Sequence, residues 1–221
     1  MTELLFTNAR LIDPVAITDS AGWILIKNGK IAATGEETPP DTKGTVIDCG
    51  GQCIAPGIID IGVKVSEPGE RHKESFHSAG LAAAAGGVTT IVTRADTLPV
   101  IDTPETLEFV ARRAAEDSAV NVLPMAALTK GREGNEMSEI GFLQDAGAVA
   151  FSDGLRVVSK TKVLSRALTY ARSLDALVIG HVQEPQLSEG AVATKGKFAS
   201  LRGLPAMPQQ ICRDFRRANL P

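Results

Sequence analysis

Cysteine is scarce in this chain: Cys49, Cys53 and Cys212 are all that occur in 221 residues. So few, so unevenly spaced, exclude a disulfide framework. Cys49-x3-Cys53 offers half of a thiolate metal site, but no second pair exists, so both read as buried strand cysteines. Long hydrophobic runs are missing too. The most apolar stretches, 53–65 and 120–128, are broken by Pro, Asp or Asn and fall short of the ~20 residues that span a bilayer. An excess of basic charge is also absent. The net charge is −3 with no Lys/Arg run, which leaves neither a nucleic-acid footprint nor a lipid-binding patch. Met1-Thr2-Glu3-Leu4 lacks the basic-then-apolar pattern of a signal peptide. A cytoplasmic location is the simplest reading.

What is present is the balance of a globular protein, with 43% hydrophobic and 22% charged residues, enough chain for one large domain or two small ones. The opening residues read as a small β module. Its strand-like runs are Leu4 to Ile12, Gly22 to Lys27, Lys30 to Thr34 and Thr45 to Cys49. Asn28-Gly29 is a strong hairpin signal, and Pro39-Pro40 marks a loop.

From Cys53 onward, apolar runs alternate with helical segments. Strands are expected at Ile54 to Val65, Val88 to Thr93, Val120 to Leu128, Ala148 to Ser152 and Leu177 to His181. Helices are expected at Lys73 to Ala85, from Thr103 to about Asp117, at Glu136 to Ala146 and at Lys160 to Leu174. Strands apolar on both faces, each followed by a helix, predict a parallel sheet covered by helices. A closed (β/α)8 barrel needs eight such pairs and about 250 residues. About five strands are present, so the fold class is α/β, a partial (β/α)8 TIM-type barrel after a small N-terminal β-sandwich module. A doubly wound sheet is the generic alternative, but its Gly-rich phosphate turn is absent. The expected division is 1–52 for the β module, 53–210 for the first part of the barrel, and 211–221 for an atypical tail. In that tail Arg213, Arg216 and Arg217 crowd together before Asn-Leu-Pro, the texture of a truncation or frameshift.

The segment from Pro56 to Gly69 reads Pro-Gly-Ile-Ile-Asp-Ile-Gly-Val-Lys-Val-Ser-Glu-Pro-Gly. With Asn8 to Pro14, Ala83 to Thr90, Leu128 to Gly131, Ala150 to Gly154 and Leu201 to Pro205, it resembles the dihydroorotases. These are cyclic-amide hydrolases of the amidohydrolase superfamily, in the pyrimidine pathway. The family pattern is Pro-Gly-x-x-Asp-x-His-x-His-x-Arg-Glu-Pro-Gly. Here Gly62 and Lys64 stand where it has metal-binding histidines, and Ser66 where it has arginine.

The family's reaction uses zinc to polarise the amide and to bring a bound water's pKa down to about 7. Gly62 has no side chain to donate, and Lys64 brings an ammonium into the space a cation would occupy. The resemblance also implies a clamp for the substrate carboxylate, built from that arginine and an asparagine. A guanidinium pairs bidentately with carboxylate, whereas Ser66 offers one neutral hydrogen bond. Asp96, in Arg94-Ala95-Asp96-Thr97-Leu98-Pro99, stands in place of the asparagine and would repel the substrate unless Arg94 neutralised it.

No catalytic residue is assigned. Asp60, Asp153 and His181 are vestigial metal candidates implied by their motif positions. His72 and His77 are the only other histidines; five apart, they do not share a helical face, and a surface role is expected for both.

The pattern is most like the non-catalytic homologue that accompanies bacterial aspartate carbamoyltransferase. That implies a structural partner of that enzyme, oligomeric when full length, with no cofactor. The alternative is a metal-dependent cyclic-amide hydrolase of the dihydroorotase, dihydropyrimidinase or allantoinase type. It would use zinc and draw ligands from a missing half or another subunit. A fragment without stable function is the third reading.

Overall fold

The computed structural model describes residues 3–181 and 188–208. The tail at 211–221 and Cys212 lie outside the described residues. The chain divides into two units, Met1–Gly57 and Ile58–Pro221.

The first unit is one mixed sheet of five strands: β1 (Glu3–Asp13), β2 (Thr18–Lys27), β3 (Lys30–Gly35), β4 (Thr45–Asp48) and β5 (Cys53–Ile54). The order is β3-β2-β1-β4, and β5 also pairs with β1. Asn28 and Gly29 close the β2–β3 hairpin with φ of 51° and 75°. Both values are positive, as the tight turn that matches strand twist requires. The described residues of this unit form that one sheet, where the expected sandwich would need two. The cysteine expectation is corrected here: Cys53 is exposed and Cys49 only half-buried. Cys53 lies on the two-residue β5, paired only with β1 at Arg10, and so short an edge element does not enclose its side chain.

The run expected as one strand from Ile54 to Val65 is two. Cys53–Ile54 joins the first sheet, and β6 (Ile58–Val63) begins the second unit, with Pro56-Gly57 between them. Proline cannot donate to a ladder, so the pairing changes partner there. Strands β6, β7 (Val88–Thr93) and β8 (Asn121–Pro124) form a parallel sheet in that order. Two further parallel bridges, Ala126 to Phe151 and Phe151 to Val178, extend it across the positions expected for the fourth and fifth strands. The described part of this unit is therefore α/β with the strand succession of a partial barrel.

Helices α1 (Phe76–Ala85), α2 (Pro104–Asp117), α3 (Ile140–Asp145) and α4 (Thr161–Ser173) alternate with these strands. Helix α1 starts three residues later than expected from Lys73. Ser75 and Ser78 form a reciprocal capping box, which satisfies two N-terminal donors at once. Helix α2 starts as expected, with Thr103 as cap and Pro104 in the first turn. Helix α3 is shorter than expected from Glu136. Lys130 N donates to Glu136 O and Ser138 N to Leu128 O, so residues 136–138 run back along the preceding loop instead.

The main core joins the helices to one face of the strands through Phe76, Ile91, Leu107, Ile140, Leu143 and Phe151. Val92, Met125 and Ala150, with Ile179, form a smaller cluster. Their alternation with Ile91 and Phe151 along the strands places them on the opposite face. Strand β6 pairs only with β7 among the described residues. Its Ile58, Ile59 and Ile61 are 57%, 60% and 63% exposed. Beyond these elements lie β9 (Ala193–Thr194), α5 (Lys197–Leu201) and β10 (Ala206–Met207). No helix among the described residues is long and apolar enough to cross a membrane.

Candidate functional site

Strands β6, β7 and β8 run parallel, so their carboxyl ends share one side. In α/β folds that is where loops carry chemistry. Lys64 follows β6, Arg94 and Asp96 follow β7, and Asp153 follows the fourth strand position.

Gly62 sits at a register shift between β6 and β7, with φ of 93°. A Cβ added there would meet nothing within 4 Å. Space is open, but the backbone is in a region that side-chain-bearing residues rarely adopt. Main-chain conformation as well as side-chain identity therefore sets this position apart.

Arg94 and Asp96 form a two-pronged ion pair. Arg94 Nε donates to Asp96 Oδ1 at 3.1 Å, and Nη2 pairs with Oδ2. The Asp96 side chain is 8% exposed, and Lys64 Nζ lies 3.9 Å from its Oδ2. A planar fork against a carboxylate is among the stronger side-chain pairings. Two cations from two strand ends thus converge on one carboxylate.

Asp153 is buried, and its oxygens are occupied. Leu128 N and Thr129 N each donate to Oδ1 at 3.0 Å, and Thr129 Oγ1 donates to Oδ2 at 2.5 Å. Its backbone carbonyl accepts Arg132 Nε and Nη2 at 3.1 and 3.0 Å. The residue therefore clasps the loop after β8 through both carboxylate and carbonyl. Burial, largest among the causes, holds the Arg132 guanidinium below its ordinary pKa. Arg156 and Arg94 push it the same way, while Asp96 and Asp153 oppose them.

His181 and Asp153 line one cavity of about 430 Å³, together with Arg156, Val158 and Leu164. Asp60 is exposed on β6 and is not among the residues lining that cavity. Ser66 is half-buried in the loop after β6, where its carbonyl accepts Glu70 N at 2.8 Å. His72 and His77 are both exposed, and His77 Nδ1 lies 3.4 Å from the carbonyl of Asp117.

These residues do not fit a zinc centre. Gly62 supplies no donor, Lys64 places its ammonium beside Asp96, and the Asp153 oxygens are taken by hydrogen bonds. Among the described residues, no group of three His, Cys, Asp or Glu side chains is placed to hold a metal ion.

Sequence reasoning singled out Gly62, Lys64, Asp96 and Asp153 but missed Thr129 and Arg132. Their only signal was position, directly before and after Lys130-Gly131. Their partners lie 24 and 21 residues away, a separation that local patterning does not report.

Residues 51–215 match the family described as Dihydro-orotase-like. The chain is 39% identical over 209 residues to a dihydroorotase of Syntrophus aciditrophicus, covering 93% of this chain and 49% of the relative. It is also 39% identical over 201 residues to a dihydroorotase-like protein of Pseudomonas putida, covering 91% and 47%. It thus spans about half the length of the curated relatives it matches. Among solved structures, an L-hydantoinase (dihydropyrimidinase) from Arthrobacter aurescens superposes with a TM-score of 0.74 at 23% identity, over 86% of this chain and 42% of that one. A dihydroorotase crystal structure gives 0.55 at 18% identity, over 84% and 52%. At such identities the likeness is one of fold.

Proposed function

Because the chain belongs to the dihydroorotase-like family of amidohydrolases, we propose that it is a non-catalytic member serving pyrimidine biosynthesis as a structural partner of aspartate carbamoyltransferase. The observation that carries this reading is the ion-paired mouth. Lys64 and Arg94 both pair with the Asp96 carboxylate where a metal-dependent hydrolase would hold a cation and its substrate's carboxylate. A metal ion there would have to displace an ammonium, and a substrate carboxylate would meet Asp96. What remains is a folded α/β frame able to present its outer helices to another protein. The site of action would be the cytoplasm, and the full-length protein would be oligomeric.

One arrangement favours the second reading, a metal-dependent cyclic-amide hydrolase. Asp153 and His181 share the wall of one cavity, and further ligands from another segment or subunit would complete a site there. Elemental analysis separates the two. After dialysis the protein is expected to retain well under one zinc per chain and to co-elute with the organism's own aspartate carbamoyltransferase. One or more zinc per chain would overturn the non-catalytic reading. Failure to co-elute would remove the partnership alone.

A further inference from the structure

Helix α2 obeys the electrostatics of its own backbone, and helix α4 does not. Thr103 caps α2, Glu105 stands in its first turn, and Arg113 pairs with Glu116 and Asp117 one turn on. Acids near a helix N-terminus, and opposite charges three or four residues apart, both stabilise a helix. Helix α4 starts without a side-chain cap, and no acid stands in its first turn. Lys160 and Lys162 occupy that end instead, where the backbone dipole is positive. Lys162 and Arg166, four residues apart, then set like charge against like.

The pattern extends past the helix ends. From Gly154 to Leu174 the chain has no acid, while Arg156, Lys160, Lys162, Arg166 and Arg172 all fall within that stretch. Yet the whole chain has a net charge of −3. Lys160, Lys162 and Arg166 are exposed, and among the described residues none of them forms an ion pair. Other basic side chains of this unit do meet acids, among them Arg71, Lys73, Arg94, Arg113 and Lys130. Ala167 and Ala171 are buried and turn the opposite side of α4 to the core, which leaves Lys162 and Arg166 together on its outer face.

Each of these departures is offset by negative charge laid over the face from outside. An acidic surface would supply the charge that the N-terminus lacks and relieve the repulsion between Lys162 and Arg166. Apolar contact is available beside it. Tyr170, one turn beyond Arg166, is 40% exposed, and a methyl group placed on Gly141 of α3 would meet its hydroxyl at 3.0 Å. Phe142, the next residue of α3, is 67% exposed, while Ile140 and Leu143 are buried. Aromatic rings and arginine are enriched in protein–protein contacts, and a net negative chain disfavours nucleic acid.

We propose that the outer face of α4, through Lys160, Lys162 and Arg166 with Tyr170 and Phe142 alongside, docks an acidic surface of a partner protein. The inference rests on the scaffold reading and names the face which that reading leaves open: the partner is the carbamoyltransferase, and the surface it brings to α4 is acidic.

Affinity of the whole chain for the organism's own aspartate carbamoyltransferase, measured at low and high salt beside thermal melts of the free chain, tests it. Lys162→Glu separates binding from folding. It places an acid in the first turn and an opposite charge four residues before Arg166, so the free chain should melt at the same temperature or higher. The same substitution should weaken the complex by about tenfold and flatten its salt dependence. Lys30→Glu, an equal change of charge on the first unit, should leave the affinity unchanged. Wild-type affinity in Lys162→Glu would overturn this inference alone, and so would equal weakening by Lys30→Glu. A lower melting temperature in Lys162→Glu would overturn the electrostatic argument behind it. No complex with the wild type would remove the scaffold reading and this partner together. Duplex DNA bound by the wild type and released by Lys162→Glu would reassign the face to nucleic acid.

Discussion

Lys64 Nζ stands 3.9 Å from Asp96 Oδ2, joining the end of β6 to the end of β7 across the mouth of the parallel sheet. The resemblance implies a metal-ligand position for the first and a substrate contact for the second. The two side chains are of opposite charge and adjacent. The exposed lysine, at 47%, contributes little to stability through such a pair. Its effect is on what else can occupy the mouth.

Dihydroorotate should be neither formed nor hydrolysed above background by this protein. The double substitution Gly62→His and Lys64→His should leave it inactive. Ser66 and Asp96 still fail to hold a carboxylate, and a histidine at φ 93° is strained. The check is absorbance of dihydroorotate over time with added zinc. Ready turnover by the double variant would show that the clamp is dispensable.

Thr129→Val should destabilise the second unit by about 2–3 kcal/mol, because it strips a buried carboxylate of a donor and leaves the Gly134 amide without its acceptor. For a chain of this size that corresponds to a fall in melting temperature of about 5–10 °C. Circular dichroism melts should show the same loss with and without chelator. An unchanged melt would mean that the clasp on Asp153 contributes nothing.

The first unit should lose stability in acid. Arg10 holds the Asp19 carboxyl below the ordinary carboxylate range through hydrogen bonds at 2.7 and 2.5 Å. Lys27, with Thr42, does the same to Glu3. A carboxylate with a lowered folded-state pKa stabilises the fold above its unfolded value. That contribution disappears as pH falls through the lowered one. Fluorescence of Trp23, the single tryptophan, should be constant near neutrality and change below about pH 4. Asp19→Asn should lose part of this acid sensitivity, and an identical profile in that variant would sink the assignment.

The exposed isoleucines of β6 should make the 221-residue chain self-associate. A strand with unsatisfied backbone groups and apolar side chains is a template for pairing with another copy. Size-exclusion chromatography should show mass rising with concentration, and Ile59→Lys with Ile61→Lys should return the chain to monomer. A monodisperse wild-type monomer with one cooperative melt would contradict this.

Much of the fold was legible because its signals are local. Asn28-Gly29 specifies a turn by backbone preference alone, and Thr103-Pro104 marks a helix start by the donors it satisfies. The succession of apolar strands and helices was likewise visible as periodicity. The break at Pro56-Gly57 was not, because hydropathy reports that a run is buried and not which sheet it joins. The late start of α1 depended on Ser75 and Ser78 bonding to each other rather than on helix propensity. At the site, side-chain identities drew attention to Gly62, Lys64, Asp96 and Asp153. Their surroundings were not legible: Thr129 on the Asp153 carboxylate and Arg132 on its carbonyl are long-range pairings that no spacing rule anticipates.

Gly62 sets a threshold for any redesign of this strand end. At φ 93° it holds β6 in a main-chain conformation that residues with a side chain rarely adopt, although the space beside it is open. A new side chain at this position therefore has to shift the strand before it can act, and the register of β6 against β7 shifts with it.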